Sequence, residues 1–180
     1  MKKLFPTFAD SSSYHGIAQN IHRLSGKESD TLRNLVLERD KYTCSYCDFH
    51  APEWQTINFI DGNSTNNKLA NLTTVCPMCN LILNTPLGCQ IEGIVELYQT
   101  STYDQNKIVQ MTRKLRAEGK NDDQIRRILG LKDKVPFKMN KEYLKGLIGF
   151  VTSWKGSWGQ VEEALAYGYN PDLLGDNSED

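Results

Sequence analysis

The chain has 180 residues, a hydrophobic fraction of 39%, a charged fraction of 24% and a formal net charge of −1 at pH 7. That length suits one domain with a small appendage, and the composition supports a real core. A near-neutral balance argues against a protein that coats nucleic acid, and no apolar run approaches the roughly 20 residues that a membrane helix needs.

In chain order, residues 1–27 read as a polar, turn-rich N-terminal arm. Met1-Lys2-Lys3-Leu4-Phe5-Pro6 carries two positive charges, but Pro6, Asp10 and Ser11-Ser12-Ser13 break the apolar run, so no signal peptide is read there. A short helix is expected near Ile17 to Leu24. The next, Glu28 to Arg39, places Leu32, Leu35, Val36 and Arg39 at helical spacing, with Ser25 or Asp30 as cap. Residues 28–88 form the second unit. Gln55 to Ile60 has strand character, Asp61-Gly62-Asn63 is a turn signal, and a short helix is expected from Asn66 to Leu69. Leu72 to Val75 leads into the cysteine pair at 76 and 79, and Asn80 to Asn84 begins a following helix that ends near Pro86-Leu87-Gly88.

Residues 89–170 read as a helical C-terminal region. Gln105 to Glu118 is amphipathic through Ile108, Met111 and Leu115, and Gly119 ends it. Asn121-Asp122-Asp123 caps a helix with Ile125, Ile128 and Leu129. Pro136 breaks the chain, and Asn140 caps a helix with Tyr143, Leu144, Leu147 and Phe150. A helix around Val161 to Tyr167 and a disordered acidic tail over 171–180 follow. The fold expected is therefore α+β, mostly helical, with a small strand-containing unit and flanking helices. Trp154, Trp158, Tyr167 and Tyr169 are candidate interface anchors or closers of the C-terminal core.

The chemistry concentrates in two C-x-x-C knuckles, Cys44-Ser45-Tyr46-Cys47 and Cys76-Pro77-Met78-Cys79. Four thiolates at this spacing close a tetrahedral zinc site with no open position for water, so the zinc is structural. Such pairs favour metal over disulfides in a cytoplasmic chain, the compartment expected here. Cys89 falls outside the pattern and reads as a small buried hydrophobe.

The segment between the knuckles, Asn58-Phe59-Ile60-Asp61-Gly62-Asn63 and then Asn66-Asn67-Lys68-Leu69-Ala70-Asn71-Leu72, resembles the ββα-metal finger of HNH nucleases. That family reads roughly His-His-Ile-Asp-Gly-Asn, with a further His after the last Cys. Asn58, Phe59 and Asn80 stand at those three positions. Phe59 cannot accept a proton as a general base must, and His15, His22 and His50 fall at no motif position. Asp61, Asn63 and Asn71 read as Asx-turn residues that keep the finger's shape. Val36-Leu37-Glu38-Arg39-Asp40-Lys41-Tyr42-Thr43 before the first knuckle, with Asn66 to Leu72 before the second, narrows the resemblance to the DotN/IcmJ family of the type IVB (Dot/Icm) secretion system. It covers residues 28–85. It implies a zinc-binding, non-enzymatic component of the coupling-protein complex, with a coupling ATPase among its protein partners and contact with the inner membrane only through them.

A rival reading comes from the charge distribution. Lys107 to Lys145 holds twelve Lys or Arg against five Asp or Glu, a surplus of seven, which leaves −8 for the rest of the chain. Within it, residues 107–131 pattern as a helix-turn-helix, so nucleic acid is a second candidate partner of Lys107–Lys145 and a DNA-binding regulator a second candidate function. The extended Lys132 to Phe137 stands where a third helix would be needed. An active HNH endonuclease is the third reading, opposed by the missing histidines.

Overall fold

The computed structural model describes residues 1–8, 27–63, 65–90 and 94–153. The expectations for Ile17–Leu24, the Ser25 cap, His15, His22, Trp154, Trp158, Val161–Tyr167, Tyr169 and the tail fall outside those residues.

Helix α1 (Lys27–Arg39) leads into the first knuckle, then strand β1 (Thr56–Phe59), a 3-10 turn (Leu69–Asn71) and strand β2 (Leu72–Val75). β1 and β2 pair antiparallel, from Thr56 opposite Val75 to Phe59 opposite Leu72. Helix α2 (Pro77–Leu83) follows at once, with Cys76 at its N-cap and Pro77 in its first turn, where a missing N–H costs nothing. α3 (Thr85–Gln90) comes next. Asn84 separates the two helices, and Pro86 is the second residue of α3 rather than the end of a helix, a place where its fixed φ is tolerated.

α1 docks through Val36 and Leu37, both buried, whereas Leu35 is 48% exposed. Of the expected stripe Val36 is thus in place, while Leu37 rather than Leu35 joins it in the core. Its last turn is tied down by charge. Arg39 donates to the carbonyls of Leu69 and Leu72, both at 2.8 Å, and to Asp40, whose Oδ2 accepts from the Thr74 amide at 2.9 Å. The Arg39-Asp40 pair therefore holds α1 against β2.

The C-terminal region corrects the expectation of a helical 89–170, apart from the extended reading of Lys132 to Phe137, which holds a strand (Lys132–Val135). It contains a second, three-stranded antiparallel sheet in the order β4-β3-β5, from β3 (Val95–Thr100), β4 (Lys132–Val135) and β5 (Ile148–Val151). Leu147 and Phe150 belong to a strand and its approach, although their three-residue spacing imitates a helix face. α4 (Gln105–Ala117) and α5 (Asp122–Leu129) sit between β3 and β4, and the short α6 (Lys141–Lys145) precedes β5. The expected stops and caps are present: Gly119 has φ +77°, Asn121 and Gln124 form a reciprocal capping box, and the Asn140 side chain accepts from the Tyr143 amide.

Two apolar clusters fill the interior. One gathers Leu4, Val75, Leu81, Ile82, Ile94, Leu97, Val109 and Leu144 around the four knuckle cysteines. The other packs Ile108, Leu115, Ile125 and Leu129 against Tyr98 and Phe150. Among the described residues no helix is long and apolar enough to cross a membrane.

Candidate metal centre

The first knuckle hangs between α1 and β1. The Cys44 amide donates to Phe49 O at 2.9 Å, the Asp48 amide to Cys44 O at 3.0 Å, and the Gln55 side-chain amide reaches the carbonyls of Tyr42 and Phe49. The second knuckle is the start of α2. Pairing of β1 with β2 sets the two face to face, and the Ser45 amide donates to Thr74 O at 3.0 Å across the gap.

The result is a buried cluster. Cys44, Cys47, Cys76 and Cys79 are each at most 4% exposed, and their four sulfurs lie within 4.8 Å of one another. Cys47 Sγ and Cys76 Sγ stand 3.6 Å apart, far longer than the roughly 2 Å of a disulfide. Four sulfurs held about 2.3 Å from one tetrahedral zinc would stand about 3.8 Å apart. The cluster can therefore hold one metal ion, and its donor set and spacing fit zinc. All four ligands expected from the sequence are brought together.

The structure adds a residue that sequence reasoning had counted only as basic surplus. Arg113 of α4 lays its guanidinium between the sulfurs and the Phe49 ring. Nη1 reaches Cys47 Sγ at 3.6 Å, Nη2 reaches Cys76 Sγ at 3.4 Å, and the ring centroid is 3.8 Å away. Burial alone would lower the Arg113 pKa, but the negative sulfurs of Cys76 and Cys47 hold it above its ordinary value. Conversely, burial would raise the Cys76 thiol, yet hydrogen bonds from the other three sulfurs and the charge of Arg113 hold it well below the usual range. Cys79, buried and bonded to the same sulfurs, is pushed up. Arg113 is the third member of a polar stripe. One and two turns before it, Gln110 donates to Cys47 O at 3.2 Å and Asn106 to Tyr46 O at 2.6 Å. α4 thus grips the first knuckle along its length, and the i, i+4, i+7 spacing of three polar residues on an otherwise amphipathic helix was the one signal for it.

The other singled-out residues are placed as follows. Asp61 is the hub of the turn after β1. It accepts from the Asn63 amide at 2.8 Å, from Asn66 Nδ2 at 2.7 Å and from Asn71 Nδ2 at 2.9 Å, and Asn71 Oδ1 accepts from the Asp61 amide at 3.1 Å. These bonds, first that of the Asn63 amide, hold its carboxyl below the usual range. Asn58 lies on β1, Phe59 ends it, and Asn80 on α2 accepts from the Asn84 side chain at 2.9 Å. His50 Nδ1 bonds Lys41 O at 2.9 Å and is not part of the cysteine cluster. Cys89 donates to Val95 O at 3.7 Å, and burial pushes its thiol up to about 11, as suits a packing residue.

The basic segment is partly spent inside the fold. Arg116 pairs with Asp122 at 2.9 Å, while Arg126 and Lys134 reach the two oxygens of Glu96 at 2.8 and 2.6 Å. After α4 and α5 the chain enters strand β4, so no third helix completes a helix-turn-helix.

No protein-family model matches the chain. Over 44 residues the chain is 48% identical to the type 4 apparatus protein DotN of Legionella pneumophila. The match takes in 24% of this chain and 21% of DotN. Part of the chain is thus similar to a secretion-apparatus protein, in keeping with the narrower of the two resemblances read from its motifs.

Proposed function

We propose that the protein is a non-catalytic, zinc-stapled adaptor of HNH-like descent, working within a multiprotein assembly, the coupling complex of a type IVB secretion system. The carrying observation is a closed four-cysteine cluster behind a hairpin and helix whose general-base and outer ligand positions hold Asn58, Phe59 and Asn80. A site with four thiolates leaves its metal no open position, so the zinc would fold the finger rather than activate water. Asp61, the one carboxylate of the motif, is committed to the turn. The partial likeness to DotN supports the assembly.

Among the described residues a basic concavity is open to a partner. It has a volume of about 610 Å³ and is lined by Lys2, Lys3, Lys107 and Lys145 over Leu147 and Ile148, with Asp104 the one acidic side chain in its wall. That carboxylate is already engaged in capping α4 through the Lys107 amide. Such a groove suits an acidic segment of a partner protein and would speed its association. Affinity capture of the tagged chain from native host membranes tests the reading: co-purification of a membrane ATPase with zinc-loaded protein is expected. Recovery of a partnerless monomer that binds a defined DNA site would instead favour the regulator.

A further inference from the structure

Arg113 sits in an unusual position for a cation. It is a partly buried guanidinium on α4 with no carboxylate partner among the described residues. Burying an unpaired charge is costly, so its counter-charge must come from what it touches. What it touches is one sulfur from each knuckle, at 3.6 Å to Cys47 and 3.4 Å to Cys76, and the face of Phe49. Neutral thiols would not compensate it. Four thiolates around a divalent ion carry a formal charge of −2, which one guanidinium reduces to −1. Cys44 and Cys79 receive no such bond from Arg113.

We propose that Arg113 is the outer-sphere positioning residue of the metal centre. Its two N–H groups draw electron density from Cys47 and Cys76, fix the rotamers of those ligands, and make retention of the metal depend on the docking of α4. The cluster is thereby asymmetric, with Cys44 and Cys79 the electron-rich pair. Outer-sphere partners of this kind typically contribute about 10- to 100-fold in metal affinity. The proposal concerns the metal centre alone and stands independently of the secretion role.

The test uses the full chain with zinc and, separately, with cobalt(II) as a spectroscopic probe. Arg113→Met should release zinc to a chromogenic chelator about 10- to 100-fold faster than wild type. With both N–H···S bonds gone, the sulfurs give up electrons more readily, so the thiolate-to-cobalt charge-transfer band should move to lower energy. Arg113→Lys, which keeps the charge and one donor, should fall between. Phe49→Leu removes the ring beneath the guanidinium and keeps the donors, so its band should stay at the wild-type energy even where stability falls. If Arg113→Met does not fold, Arg113→Lys and Phe49→Leu carry the same comparison. Faster zinc release with an unmoved band in the arginine variants would reduce Arg113 to a packing role and overturn the proposal, as would wild-type release rates.

Discussion

Replacing Asn106 with alanine should loosen the metal centre without touching a ligand. The Asn106 side chain accepts from the Leu4 amide at 2.9 Å and donates to Tyr46 O and Lys2 O, both at 2.6 Å. It thus joins three parts of the chain: the arm, the first knuckle and α4. Two of the three bonds are partly buried and one is exposed. At about 1 kcal/mol for each partly buried bond, and less for the exposed one, the loss comes to about 2 kcal/mol. For a domain of this size that corresponds to a fall in Tm of about 4–8 °C. Thermal unfolding followed by circular dichroism gives the shift. Native-state hydrogen exchange should show faster exchange at the Cys44 and Ser45 amides, which bond Phe49 O and Thr74 O within and across the knuckles. A Tm within about 1 °C of wild type, with unchanged exchange at those amides, would refute the view that α4 and the first knuckle form one unit.

Four further outcomes follow from the same geometry. Cys76→Ser should lose the metal and most soluble protein, measured by elemental analysis of the purified chain, because binding and folding energy are shared in such sites. Asp61→Ala should melt the turn after β1 while metal content stays at the wild-type level, and neither form should nick supercoiled plasmid with magnesium or manganese; cleavage that tracks the protein peak and vanishes in Asp61→Ala would contradict this. For Glu96, burial would raise the carboxyl above its ordinary 4.5, but the bonds from Lys134, Tyr98 and Arg126 outweigh it and hold it lower. Its contribution to stability is therefore complete above that value and is lost as pH falls through the lowered folded-state value, so denaturant titrations of Glu96→Gln should show a flatter acid limb than wild type. Gly130→Ala should cost about 1 kcal/mol or more in chemical denaturation, since Gly130 closes α5 at φ +66° with Thr102 packed where a Cβ would go.

Local chemistry made the cysteine cluster and the turns around it legible. Paired cysteines, the Asp61-Gly62 turn and the caps at Asn121 and Asn140 are set within a few residues of sequence, and the structure forms each of them. Of the second sheet only the extended character of Lys132 to Phe137 was legible. β3 has only partial alternation, β4 reads Lys-Asp-Lys-Val on a sheet edge, and β5 holds Gly149 between Ile148 and Phe150. Pairing across more than 30 residues decides these strands, and no local pattern encodes it. Gln105 completes that pairing from α4 by clamping both backbone groups of Gly149, at 2.8 and 2.7 Å. Arg113 escaped for a related reason. In sequence it is one of twelve basic residues between Lys107 and Lys145, and only the packing of α4 on the first knuckle brings it to sulfur. The Leu35 misassignment shows the same limit on a smaller scale, since three adjacent apolar residues at 35–37 leave the buried face of α1 undetermined until β2 is in place.

The claim on which the rest depends is one structural zinc held by four thiolates. Native mass spectrometry of the full chain tests it most directly. The account predicts one zinc per wild-type molecule, none in Cys76→Ser, and a shift to a broad, highly charged unfolded distribution when a strong chelator strips the wild type. A metal-free wild-type chain that keeps its compact distribution, with all four cysteines titrating as free thiols, would contradict it.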